Sequence, residues 1–202
     1  MIKNVIYISH AEKNPSGGAK IIYRHSEKIN SLKYFSSEVI HLKKTKLSKL
    51  KSSLKKRIKL KNIRDQGWQL NEVVPVKNFD YKWFKHKIRS RDNFDFNKKK
   101  DFIILPEIFA HLADDLLIKN KIDYAIFVQN GYVLQSTNNE IKLLKAYEKA
   151  KFILSYSNDI TNCINLKFPK LKTKIIKISY AIDLKKTKLS EKSNLITYMS
   201  RK

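Results

Sequence analysis

Apolar residues fall in short runs at regular intervals along the chain. Lys3–Ser9 (KNVIYIS), Glu38–Leu42 (EVIHL), Phe102–Leu105 (FIIL), Tyr124–Val128 (YAIFV), Phe152–Tyr156 (FILSY) and Lys174–Ile182 (KIIKISYAI) each read as a strand. Many lack strict alternation, which predicts a parallel sheet covered on both faces. Helix-spaced patterns lie between them. Ile21, Ile22, His25, Ile29 and Leu32 predict one face of a first helix. Leu112, Leu116 and Leu117 predict the inner side of a helix over Phe109–Lys119. Glu140–Lys149 and the stretch that stops before Pro169 predict two more. Glu72–Val76 (EVVPV) reads as an edge strand, because Pro75 cannot donate to a ladder. Asp92–Lys100 reads as a surface loop. A strand, a Gly loop, a helix and a second strand open a doubly wound unit. The prediction is an α/β, mostly parallel, Rossmann-like sheet over residues 1–183, with a basic insertion at 43–64. Residues 184–202 read as a linker and one more strand, Leu195–Met199, the first of a further domain.

Composition removes several chemistries. The 202 residues are 42% hydrophobic and can bury a core. The single cysteine, Cys163, excludes an internal disulfide framework and reads as a packed residue on a helix. His10, His25, His41, His86 and His111 show no metal-ligand spacing. Asp114 and Asp115 are adjacent, so on a helix they diverge by about 100° and do not pair. The GxGxxG, GxxxxGK[ST] and GxSxG patterns are absent, which disfavours NAD binding, NTP hydrolysis and a serine-elbow hydrolase. No apolar run approaches the roughly 18 residues of a membrane span, and the N-terminal run is too short for a signal peptide. The expected location is the cytoplasm.

The net charge of +25 raises the prospect of an anionic partner. Of the 43 basic residues 37 are Lys and 6 are Arg, a balance closer to solvated surface than to nucleic-acid readout. Lys43–Arg64 holds eleven basic residues and no acidic one, with Leu47, Leu50, Leu54 and Ile58 at helical spacing. Such a helix either packs its leucines on the sheet or lies on an anionic membrane through Lys49, Lys51, Lys55, Lys56, Arg57 and Lys59. Trp68, Trp83 and Phe84, near Lys82, Lys85 and Lys87, either pack or form a nucleic-acid face. The second functional reading is therefore a non-catalytic basic module that binds nucleic acid or an anionic surface.

In an open parallel sheet, ligands bind beyond the carboxyl ends of the strands. His10, Glu107, Gln129, Asn130, Tyr132, Ser157 and Asn158 collect there. Ser157 or Asp159 also suits a helix N-cap, and Asn130-Gly131 a turn. Gly17-Gly18 precedes the first helix, where backbone can approach an anion, with Lys20 and Arg24 one turn apart on that helix.

These motifs add up to a resemblance. NPSGGAKIIYRHSEKINSL (Asn14–Leu32), ILPEIF (Ile104–Phe109), IFVQNGY (Ile126–Tyr132) and YMSRK (Tyr198–Lys202) resemble, in order, stretches of family-4-like glycosyltransferases of the two-Rossmann-domain (GT-B) type. Val128 stands where that family commonly has Asn, and Ser200 where it has Pro. The resemblance implies a bacterial enzyme that transfers a sugar from a nucleotide-sugar donor to a saccharide or lipid-linked acceptor. Residues 1–183 correspond to the acceptor-side domain, with the chain ending as the nucleotide-binding domain begins. By the same resemblance Gly17, Gly18, Lys20, Arg24, Arg201 and Lys202 face the donor phosphates. His10, Glu107, Gln129, Asn130, Tyr132, Ser157 and Asn158 then line the acceptor cleft. A missing domain or partner chain is implied, and the isolated chain is expected to be inactive. The resemblance also implies no metal, no cofactor beyond the nucleotide-sugar donor, and peripheral contact with the inner membrane.

Overall fold

The computed structural model describes residues 4–11, 13–14, 16–45, 68–79, 82–136 and 140–178, the side chains of 135 and 136 excepted. The expectations for 46–64, for 184–202 and for Arg201 and Lys202 lie outside the described residues.

The strands are β1 (Asn4–His10), β2 (Ser36–Lys44), β3 (Val73–Pro75), β4 (Ser90–Arg91), β5 (Asp101–Pro106), β6 (Tyr124–Val128), β7 (Phe152–Ser155) and β8 (Ile175–Lys177). The helices are α1 (Gly17–Asn30), α2 (Glu140–Lys149) and α3 (Asn158–Lys167). The sheet runs β3-β2-β1-β5-β6-β7-β8, with β4 also paired to β2. Every pairing is parallel except β2 with β3, where Pro75 sits on the edge strand as the sequence predicts. The chain winds outward in one direction from β1 and in the other from β5, so the switch point lies between their carboxyl ends.

Strand residues alternate between two apolar layers. Ile6, Ile8, Ile40, Leu42, Ile103, Leu105, Ile126 and Val128 point into the larger one, closed by Phe109, Leu112, Leu143 and Tyr147. Tyr7, Val39, Phe102, Ile104 and Phe127 point into the smaller one, closed by Ile22 and Tyr23 of α1 with Trp83 and Phe84 beside them.

Two predicted features are corrected. The helix over Phe109–Lys119 is a 3-10 stretch, Glu107–Leu112, followed by a π turn, Asp114–Ile118. Phe109, Ala110, His111 and Leu112 are all buried, and so are the neighbours Leu116 and Leu117. A regular helix turns adjacent residues about 100° apart and cannot bury such runs against one surface. On α1 the buried positions are Ala19, Ile22, Tyr23 and Ser26, while Leu32 lies past the helix end and is exposed. Tyr23 is drawn inward because its hydroxyl bonds the buried His41 Nε2 at 2.7 Å and its ring stacks on Trp83 at 5.2 Å. The strand predicted over Lys174–Ile182 is present as Ile175–Lys177, and its stretch from 179 to 182 lies outside the described residues.

Candidate functional site

Glu107 follows the last residue of β5 and is only 4% exposed. Its carboxylate accepts two backbone N–H groups from the turn after β6, Gln129 at 3.0 Å and Asn130 at 3.1 Å. Burial pushes its pKa up to about 7, against the pull of those hydrogen bonds, which favour the charged form. The fully buried Tyr147 phenol is pushed up too, first by burial and then by the charge on Glu107. Glu107 is thus a clamp on the β6 turn whose proton is held near neutral pH.

The next link is Gln129. Its Nε2 donates to the Gly18 carbonyl at 3.2 Å, tying the β6 turn to α1. A Cβ on Gly18 would stand 2.5 Å from Gln129 Oε1, whereas one on Gly17 would meet nothing within 4 Å. The two glycines therefore differ in kind. Both lie in the first turn of α1, behind the N-cap Ser16, whose Oγ accepts the Ala19 N–H at 3.2 Å. The close approach that Gly18 permits is made by Gln129, a group of the chain itself.

Asn130 is exposed, and its Oδ1 accepts the Tyr132 N–H at 3.1 Å, a side-chain-closed turn. That turn holds out Tyr132, 68% exposed. Gly131, between them, packs so tightly on α3 that a Cβ would lie 2.6 Å from Cys163 Cβ. Cys163 is a packing residue, as its sequence context suggests. His10, at the end of β1, sits in an aromatic corner, 4.5 Å from Trp68 and 4.8 Å from Phe109 between ring centres. Lys44 Nζ lies 5.2 Å from the Trp68 ring centre.

Not every expected residue joins this cluster. Ser157 is the N-cap of α3, its Oγ accepting the Ile160 N–H at 3.2 Å. Asn158 Oδ1 accepts from Lys177 Nζ at 3.0 Å. Lys20 and Arg24 are exposed on α1. The structure brings together Gly18, Glu107, Gln129, Asn130 and Tyr132, with His10 at the neighbouring strand end. The aromatic corner of Trp68 and Phe109 is not legible in the sequence, where Phe109 reads as the start of a helix and Trp68 groups with Trp83 and Phe84 as packing or nucleic-acid aromatics. What the cluster offers is a set of uncharged donors and acceptors around a buried carboxyl and beside an exposed ring. Among the described residues no group of His, Cys, Asp and Glu could hold a metal ion.

A hollow of about 730 Å³ lies at the other edge, where the strands begin. Its buried carboxylates are already held by neighbouring side chains. Arg91 bonds Glu38 through Nε at 2.8 Å and Asp101 through Nη1 at 3.0 Å. Asn4 Nδ2 reaches the same two carboxylates at 3.0 and 3.2 Å. This network ties β1, β2, β4 and β5 together and leaves no buried group aimed at a ligand.

Among the described residues no helix is long and apolar enough to cross a membrane. No protein-family model matches the chain, and no curated protein is significantly similar to it.

Proposed function

We propose that the chain contains the acceptor-side, Rossmann-like domain of a two-domain glycosyltransferase, which transfers a sugar from a nucleotide-sugar donor to a saccharide or lipid-linked acceptor. The observation that carries this reading is the Gly18–Gln129–Glu107 link, with Asn130 and Tyr132 exposed beside it. It joins the α1 start to the ends of β5 and β6 at the switch point of the sheet, the usual ligand crevice of such folds. A saccharide is bound by many uncharged hydrogen-bonding groups and an aromatic face, and these residues are of that kind. In this reading Glu107 is a positioning residue, since it acts through the Gln129 and Asn130 backbone. In the same reading Gly17, Gly18, Lys20 and Arg24 face the donor, and no metal takes part. The four sequence stretches that resemble the family supply the rest of the case, because a Rossmann-like sheet alone does not select a function.

The nucleic-acid alternative draws no support from the aromatics that suggested it. Trp83 stacks on Tyr23, Phe84 meets Tyr23 edge-on at 5.3 Å, and Trp68 packs on His10 and Phe109. The test is an NMR titration of the isotope-labelled chain with oligosaccharides of bacterial surface polymers. The expected result is that a saccharide moves the amides of Gly18 and of Gln129 through Tyr132, and that Gln129→Ala weakens it. If no saccharide moves them while single-stranded RNA does, the proposal is wrong.

A further inference from the structure

The edge where the parallel strands begin carries a row of lysines. Lys100, Lys151 and Lys174 stand at the starts of β5, β7 and β8, fixed there by backbone bonds. The Lys100 carbonyl accepts the Asn4 N–H at 3.0 Å, the Lys151 N–H reaches Tyr124 O at 2.9 Å, and the Lys174 carbonyl accepts the Ile153 N–H at 2.9 Å. Lys98 and Lys99 precede β5, Lys121 precedes β6 and Lys172 precedes β8, all of them exposed. Neighbouring strands lie about 4.8 Å apart, so these ammonium groups line the edge at close intervals. Lys151 pairs with Asp123 at 3.3 Å. Lys98, Lys99, Lys100, Lys121, Lys172 and Lys174 have no carboxylate partner among the described residues.

The same edge ends in an apolar tip. The turn from α1 into β2 exposes Leu32 (48%), Tyr34 (72%) and Phe35 (44%) side by side, and Lys33 Nζ sits 5.6 Å from the Tyr34 ring centre. Three large apolar side chains in four consecutive residues, at one end of a lysine row, form a surface that is both cationic and insertable.

We propose that this strand-start edge docks on an anionic lipid bilayer, the lysines against the headgroups and Leu32, Tyr34 and Phe35 in the interface. Charge complementarity names an anionic partner, and two features select a bilayer over nucleic acid. The row is mostly Lys, strongly hydrated point charges without the planar fork that reads bases and phosphates, with a single exposed Arg89 beside Lys100 among the described residues. Leu32 offers nothing to a base, whereas a bilayer takes up an aliphatic and two aromatic side chains together. Docking here leaves the Gly18–Gln129–Glu107 crevice at the far edge, turned toward water. The inference does not rest on the sugar-transfer reading.

The test is co-sedimentation of the full chain with phosphatidylcholine vesicles, with and without phosphatidylglycerol. Binding is expected only with phosphatidylglycerol and is expected to weaken with salt. Lys98→Gln, Lys99→Gln and Lys100→Gln together should weaken partitioning roughly 100-fold, since each lysine near an anionic surface contributes about fivefold. Leu32→Ser, Tyr34→Ser and Phe35→Ser together should also weaken it, even in low salt. These side chains are exposed, and circular dichroism of each variant confirms that it is folded. A third variant replaces Lys49, Lys51, Lys55, Lys56 and Lys59 by Gln and separates the edge from the basic segment. If that variant alone loses binding and both edge variants bind like the parent, the proposal is overturned. It is equally overturned if single-stranded RNA binds through the lysines without the apolar tip and vesicles do not bind.

Discussion

The two edges of one sheet solve opposite problems. Where the strands begin, charge is met by charge: Arg91 lies between Glu38 and Asp101, Lys151 pairs with Asp123, and further exposed lysines line the rim. Where the strands end, the one buried carboxylate, Glu107, is met by neutral backbone N–H groups, and its neighbours Gln129 and Asn130 are uncharged. The first edge is therefore stiff and cationic, and its ion pairs fix the strand starts. The second is held by hydrogen bonds to chain turns, which leaves polar side chains facing outward. Ligand crevices in such folds belong to the second kind of edge.

The contrast can be broken most strongly at Arg91. Arg91→Leu leaves Asp101, which is 5% exposed at its side chain, without its cation. Removing one partner of a buried pair costs about 3 kcal/mol or more, so urea unfolding should show a loss of that size.

Glu107→Gln is expected to cost about 2 kcal/mol at neutral pH, because an amide has one acceptor for two N–H donors. Its pH dependence carries a sign. The folded pKa of about 7 stands above the ordinary 4.5, so the fold binds this proton more tightly than the unfolded chain does. That contribution is complete below about 4.5 and is lost as pH rises through about 7. The gap between parent and Glu107→Gln should therefore be wider at pH 5 than at pH 8, by up to about 3 kcal/mol. The buried His41 works the other way. Burial lowers its pKa to about 4, so its contribution holds above 6.5 and is lost as pH falls toward 4. Because His41 is present in both proteins, it cancels in the comparison.

The smallest effects separate the two glycines. Gly18→Ala displaces the Gln129 side chain, a flexible group, and should cost under about 1 kcal/mol of stability while weakening the expected saccharide binding severalfold. Gly17→Ala has open space and helical backbone. It should be neutral or stabilise by up to about 1 kcal/mol and leave binding unchanged. If the two variants behave alike in the NMR titration, Gln129 has no role in the crevice.

The strands were legible because a sheet buried on both faces writes itself as unbroken apolar runs. Tyr124–Val128 and Glu140–Lys149 match the structure residue for residue. The two-residue β4 is shorter than any pattern and is paired by Arg91, which no periodicity reveals. The irregular path after Glu107 escaped because its buried leucines also satisfy a helical spacing. The site was legible as a set of strand ends and not as a cluster. Gln129 meets Gly18 across 111 positions, and the donors that hold Glu107 are backbone groups, which every sequence contains. Ser157 fitted either a cap or a cleft, and its Oγ is occupied by the cap.

One pairing also says something about how such a chain can change. Lys44 is opposite Val73 in the β2–β3 ladder, and the Thr45 N–H reaches Glu72 O at 2.8 Å. Residues 45 and 72 are therefore neighbours in space. A segment anchored in this way can lengthen, shrink or be exchanged at little entropic cost to the rest. The Thr45–Glu72 pairing fixes the sheet's register on both sides of the span, so a change of length between them is absorbed outside the ladder.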